Sequence, residues 1–376
     1  MRILLISGSL PPMKCGVGDY TAHLAKALSR RTDTTVAVLT DVSATPTPSD
    51  FEFEVFPVAR GWRMADVSRI GLAARRWRPD IVHIQYPTQG YGRSYLPWLL
   101  PSLFRILDLP VVQTWHGYDS RRMSRCFLPN SVLAGGLIVV RQEYFDMMTP
   151  FYRWLNRRKY VKFIPNASTI PCTQLTEKEK SDLRSRFSEA RSKLVVFFGF
   201  AYPDRGVELL FRVADPAQHH LVLISDLHLN DEYQKSILDY ANREPWAGNV
   251  AVTGYLPAEE VGRILAAADA VVLPFRDGGG MWNTSIRAGV TQGTFVLTTA
   301  RERHGYDSKD NVYYARPDDV ADMQDALRTF ISRRNNKIGG GMNRDWDSIA
   351  QAHTLFYETV ASSSVKRSSA GLLVQK

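Results

Sequence analysis

What most limits the folds open to this chain is an alternation of short strands and helices that runs through it twice. Arg2–Ser7 is an apolar run closed by Gly8, Ser9 and two prolines, the pattern of a buried strand. Strand-like stretches follow at Thr35–Thr40, Asp80–Gln85, Pro110–Thr114, Leu137–Val140 and Lys162–Ile164, with helical spacing over Asp19–Ser29, Ala65–Trp77 and Tyr95–Leu107 between them. The pattern restarts with a strand at Ser192–Phe198, a glycine turn and a helix at Gly206–Ala214. It continues through strands at His220–Ser225, Val250–Thr253, Ala270–Pro274 and Thr294–Thr298, with helices at Glu259–Ala268 and Thr284–Thr291. Such repetition predicts an α/β fold of two doubly wound parallel-sheet halves.

The length of 376 residues suits two domains. Prolines and polar residues gather over Asn166–Thr176, which places one domain at 1–168 and the next at 169–343. A glycine-rich connector at 335–343 leads to a helix over 344–361, with Trp346, Ile349, Ala352, Leu355, Phe356 and Val360 on one side, and residues 362–376 read as a disordered tail. The composition is 44% hydrophobic and 23% charged, which excludes a disordered, collagenous or repeat-only chain. No apolar run reaches the roughly 18–20 residues of a spanning helix. Pro11, Pro12 and Lys14 stand where a secretory segment needs its cleavage site. Three scattered cysteines, Cys15, Cys126 and Cys172, imply neither a disulfide framework nor a metal cluster, so a cytoplasmic location is expected.

Charge divides the two halves. Residues 1–170 hold 22 Lys/Arg against 12 Asp/Glu, net +10, and the remainder 25 against 26, net −1. An anionic partner for the first half follows, unless the excess is simply an uneven solvated surface. Arg75-Arg76-Trp77-Arg78 and Phe151–Lys162 mix cations with aromatics, as a bilayer interface favours, though ordinary solvated helix faces give the same pattern. No DNA- or RNA-binding motif accompanies the charge, so nucleic acid is not the expected partner.

Four motifs carry chemistry. PPMKCGVGDY at 11–20 follows the first strand and opens a helix; Gly16 and Gly18 would let backbone N–H groups approach an anion, or mark only a tight turn. It lacks the GxGxxG spacing of a nicotinamide dinucleotide site. TWHGY at 114–118 sets His116 at the carboxyl end of a strand, where ligands sit in open α/β sheets, although a lone histidine is often structural. GFAYPDRG at 199–206 puts Arg205 where its fork can reach a phosphate; the alternative is a solvated arginine opening a helix. The richest is 273–293, where Gly278, Gly279 and Gly280 precede a helix capped by Asn283 or Thr284, a loop suited to a diphosphate. Asp345 and Asp347 have DxD spacing but fall at a helix start, so no metal site is expected.

In order, these pieces resemble glycosyltransferase family 4, retaining nucleotide-sugar transferases of the GT-B fold. The carriers are PPMKCGVGDYTAHLAKAL at 11–28, DIVHIQY at 80–86, VVQTWHGY at 111–118, FIPNAS at 163–168, FFGFAYPDRGVELL at 197–210, VTGYLPAEEVGRILAAADAVVLPF at 252–275 and QGTFVLTT at 292–299. The resemblance implies two Rossmann-like domains facing a cleft, with the last helix crossing back to the N-terminal one. It also implies a nucleotide-sugar donor as co-substrate, a glycan or lipid-linked acceptor on the N-terminal domain, and no cofactor or required metal. Residue by residue it gives His116, Arg205 and Asp277 catalytic roles. Gly16, Gly18, Gly278, Gly279, Gly280, Met281, Trp282, Asn283 and Thr284 would bind the donor sugar and diphosphate, and Gly254 and Tyr255 the base. The chain departs from the family's pattern at three places. The two glutamates usual across the C-terminal loop and helix fall at Gly280 and Ala288, with Asp277 the nearest substitute for the first, and a usual arginine is Phe200. These losses leave open a non-catalytic scaffold of the same fold; a nucleotide-sugar epimerase or phosphorylase is a further alternative.

Overall fold

A computed structural model of the chain describes residues 1–44, 51–117, 133–141, 143–157, 159–187, 192–335 and 342–372. Tyr118 of the histidine motif, Cys126 and most of the glycine-rich connector lie outside the described residues. The chain divides into two compact units: residues 1–166 with 345–376, and residues 167–344.

The first unit is built on strands β1 (Arg2–Ile6), β2 (Thr35–Asp41), β3 (Glu54–Ala59), β4 (Ile81–Tyr86), β5 (Val111–Trp115), β6 (Gly136–Val139) and β7 (Tyr160–Phe163). They form one parallel sheet in the order β3-β2-β1-β4-β5-β6-β7. The strand order reverses direction at β1/β4. Ile3, Leu4, Leu5 and Ile6 of β1 are wholly buried, as a strand covered on both faces requires. β3 escapes a hydrophobic reading because Pro57 interrupts it, which an edge strand tolerates.

The second unit repeats the plan with β8 (Lys193–Phe198), β9 (His219–Ile224), β10 (Val250–Val252), β11 (Ala270–Leu273), β12 (Val296–Thr299), β13 (Gly305–Asp307) and β14 (Val312–Ala315). Its order is β10-β9-β8-β11-β12-β14-β13, reversing at β8/β11, with β13 the one antiparallel edge. These are two Rossmann-like sheets.

Several elements differ from the sequence reading, three of them among those it named. The first helix begins at Gly16, ahead of Asp19. The helix expected over Gly206–Ala214 is a tight turn at Val207–Leu209 followed by Leu210–Val213, because Gly206 sits at φ +62° and breaks the start. The last helix, Met342–Leu372, runs past residue 361 through the stretch expected to be disordered; no glycine or proline stops it before Gly371. It packs on the first unit's sheet, where Phe356 and Val360 lie against Gly136. Among the described residues no helix is long and apolar enough to cross a membrane.

Candidate functional site

Loops leaving the carboxyl ends of β1, β4 and β5 come together in the first unit. Gly8 and Gly90 touch so closely that a Cβ on Gly90 would lie 1.8 Å from the Gly8 carbonyl oxygen, and the Gly90 N–H donates to Ser9 Oγ at 2.8 Å. Gly18 packs on Ser9, with room for a Cβ only at 3.1 Å from its carbonyl oxygen, whereas Gly16 is exposed and faces open space. No side chain caps the helix that starts there, so its N–H groups and positive dipole end remain available to an anion.

His116 stands at the end of β5. Its N–H donates to the Tyr86 carbonyl at 2.8 Å, the Tyr144 hydroxyl donates to its carbonyl at 3.3 Å, and Tyr20 meets its ring edge-on at 4.6 Å. Ring Nε2 lies 2.7 Å from Gln85 Oε1. Burial, then the nearby His353, pushes its pKa down to about 3, so it is neutral in ordinary buffers. Behind it, wholly buried His83 is held by the Tyr357 hydroxyl at 2.6 Å and Thr114 Oγ1 at 2.7 Å. Tyr357 and His353 both come from the last helix.

In the second unit the strand-order reversal falls between β8 and β11, and the two loops leaving those strands hold the candidate donor residues. Gly206 clasps them together: its φ is +62°, and a Cβ would lie 2.3 Å from the Pro274 carbonyl oxygen. Arg205, just before it, lies over the Phe275 ring at 5.1 Å and pairs loosely with Asp204 at 3.5 Å. The three glycines have separate reasons. Gly278 has φ +81°, Gly279 has no space beside Ile286, Phe275 and Thr298, and Gly280 lies under the Trp282 indole. Among the described residues the N–H groups of Gly280 and Met281 carry no partner.

Other predicted residues land less simply. Asn283 spends its side chain capping the helix Thr284–Thr291, accepting from the Ser285 and Ile286 N–H groups. Met281 packs toward the core, and its carbonyl accepts from Arg287 Nε. Asp277 is exposed and paired with Arg301 at 2.9 Å. Gly254 (φ +73°) and half-exposed Tyr255 follow β10, two strands away from β8. Ala288, where the resemblance expects a glutamate, is fully buried in the second core. Phe200 stacks on Tyr202 at 6.0 Å.

Two family models match end to end. A glycosyl transferase 4-like domain matches residues 15–191, and glycosyl transferases group 1 matches residues 192–333. The chain is a GT-B glycosyltransferase. Its fold is that of Anabaena HepE solved with UDP and glucose (15% identity, all of both chains, TM-score 0.68) and of a sucrose-phosphate synthase from Thermosynechococcus elongatus (15%, all of both chains, TM-score 0.64). A UDP-GlcNAc 2-epimerase from Neisseria meningitidis shares it more loosely (11%, 94% of this chain and all of that one, TM-score 0.56). No curated protein sequence matches the chain.

The glycosyltransferase also carries features at these sites that its sequence does not announce. Gly8, Gly90 and Gly206 shape the loops through contacts between residues far apart in sequence, so no local motif marks them. The polar residues His83, Gln85, Gln113 and Thr114 inside β4 and β5 were the available signal: buried strands of a parallel sheet are otherwise apolar.

Proposed function

We propose that this glycosyltransferase moves a hexosyl unit, with retention, from a nucleoside-diphosphate sugar to a glycan or lipid-linked acceptor in the making of cell-surface polysaccharide or glycolipid, on the cytoplasmic side of a membrane. The observation that carries the donor half is that Arg205, on the loop after β8, and the Gly280 and Met281 N–H groups, on the loop after β11 and without a partner among the described residues, sit on the two loops that leave the second unit's strand-order reversal, a position where α/β sheets bind ligands. Cleavage of the bond from the anomeric carbon to the diphosphate leaves negative charge on the departing oxygen. A guanidinium and oriented N–H groups meet it without reorganising, and so do the work a metal ion does elsewhere. The acceptor oxygen attacks the same face, and its proton passes to the departing phosphate oxygen. UDP and glucose, the molecules solved with Anabaena HepE, are of the chemical kind this site suits.

The acceptor half rests on the first unit's surface. The helix Val67–Trp77 buries Ile70, Gly71, Ala74 and Trp77 and turns Leu72, Arg75 and Arg76 outward, while Arg69 pairs with Asp66 just before it. Arg2, Arg75, Arg76, Trp77 and Arg78 line an open groove of about 690 Å³. On the helix Pro150–Asn156, Phe151 and Trp154 are exposed and Arg157 lies over the Trp154 ring at 5.0 Å. These faces suit an anionic bilayer or acceptor.

The test is a thermal-shift screen with UDP, GDP, ADP, CDP and dTDP. A binder at 100 times its dissociation constant stabilises the fold by about 2.7 kcal/mol. One clear responder is expected; silence from all five would move the reading to a non-catalytic protein of the same fold. Flotation with vesicles containing phosphatidylglycerol, against phosphatidylcholine alone, tests the surface separately.

A further inference from the structure

The histidine at the end of β5 has one ring nitrogen tied down and one free. His116 Nε2 sits 2.7 Å from the Gln85 carboxamide oxygen, an atom that can only accept. His116 Nδ1 has no partner among the described residues. The other end of the Gln85 side chain faces His83, with Nε2 at 3.3 Å from both ring nitrogens. His83 is itself fixed from two sides, by Thr114 of the neighbouring strand and Tyr357 of the last helix. Gln85 is wholly buried, so its amide cannot turn to water instead.

We propose that Gln85 is a positioning residue that holds His116 with its proton on Nε2, leaving Nδ1 as a hydrogen-bond acceptor for a hydroxyl of the transferred sugar. This rests on the reading of His116 as a residue beside the donor sugar. The chemistry is a choice of tautomer. A neutral imidazole carries one proton, and an acceptor at one nitrogen places it there. Without that acceptor the ring divides between two forms, and the form with hydrogen on Nδ1 offers a sugar hydroxyl a donor where an acceptor is needed. The Tyr20 ring from the first helix meets the His116 ring edge-on, and His83 from β4 and His353 from the last helix lie near it. None of them supplies a carboxylate to replace Gln85.

Long-range 1H–15N correlation spectra of the full-length protein, labelled at histidine, read the tautomer directly. The wild type should show His116 with a protonated Nε2 and an unprotonated Nδ1. Gln85→Met, of similar length but unable to accept, should average the two forms and lower kcat about tenfold, with KM for the donor changed less than threefold. Gln85→Glu keeps an acceptor, so it should keep the wild-type tautomer at pH 8 and gain an acid limb in its pH–rate profile as its charge raises the imidazole pKa. An Nδ1-protonated wild type, or a Gln85→Met protein with an unaltered His116 spectrum, overturns the proposal. If His116→Ala itself turns over normally, the reading of His116 falls, and the role in sugar binding with it. A slow His116→Ala beside a fast Gln85→Met overturns the positioning role alone.

Discussion

At the scale of single residues, the candidate sites separate groups that touch ligand from groups that shape the loop. In the proposed function Arg205 belongs with the first. Replacing it by alanine removes a charge-assisted contact worth about 1.5–3 kcal/mol, so nucleoside diphosphate affinity should fall roughly ten- to a hundredfold by calorimetry while the melting temperature without ligand holds. Gly206 belongs with the second. Gly206→Ala combines a left-handed backbone with a contact at 2.3 Å, so it should lower both the melting temperature and donor affinity. Asp277 gives a clean test because its pair with Arg301 is exposed on both sides. Asp277→Asn should change stability by less than about 0.5 kcal/mol, so its kcat reads chemistry alone; an unchanged kcat would remove Asp277 from the catalytic set. Arg205 was legible in the sequence through its place between a strand and a helix. Gly206's contact was not, because its partner at Pro274 is brought by another strand.

Between elements, the last helix and the sheet of the first unit depend on small residues at one crossing. A Cβ on Gly136 would fall 2.7 Å from Val360 Cγ2 and 2.8 Å from Phe356 Cε1. Gly136→Ala should therefore destabilise by about 1–3 kcal/mol in urea titrations, and Val360→Ala in the same chain should recover part of it. If the two losses simply add, the helix does not seat on β6 as described. The helix was legible from its apolar stripe, but its length was not: the stripe read from the sequence ends near Val360, whereas the helix runs on to Leu372.

The whole molecule carries a pH liability in its buried histidines. In the folded chain His116 takes a proton only near pH 3 and His353 near pH 4, and His83 is also held well below its usual 6.5, in each case chiefly through burial. An unfolded chain protonates them near 6.5, so it binds more protons across the window from 6.5 down to those values. The histidines' contribution is then complete above about pH 7 and falls on acidification, by about 1.4 kcal/mol per histidine per pH unit inside that window, offset in part below pH 6 by Asp19, whose pKa burial pushes up to about 6. The urea midpoint should drop clearly between pH 7 and pH 5. Replacing His353 with glutamine should shrink the drop, and an unshrunken one would assign the acid sensitivity elsewhere.

The sequence by itself determined the class of fold, the two-part plan and the order of the motifs, because periodicity and turn chemistry are local and strand–helix alternation admits few topologies. It also placed His116, Arg205 and the glycine loop at the carboxyl ends of strands. Only the tertiary structure decided which strands are neighbours, and so which loops meet at β1/β4 and at β8/β11. It decided as well that Asn283 caps a helix, that Ala288 is core, and that Gln85 reaches His116 across 31 residues of sequence. Those outcomes depend on burial and on contacts between distant residues, which local patterns along the chain do not encode.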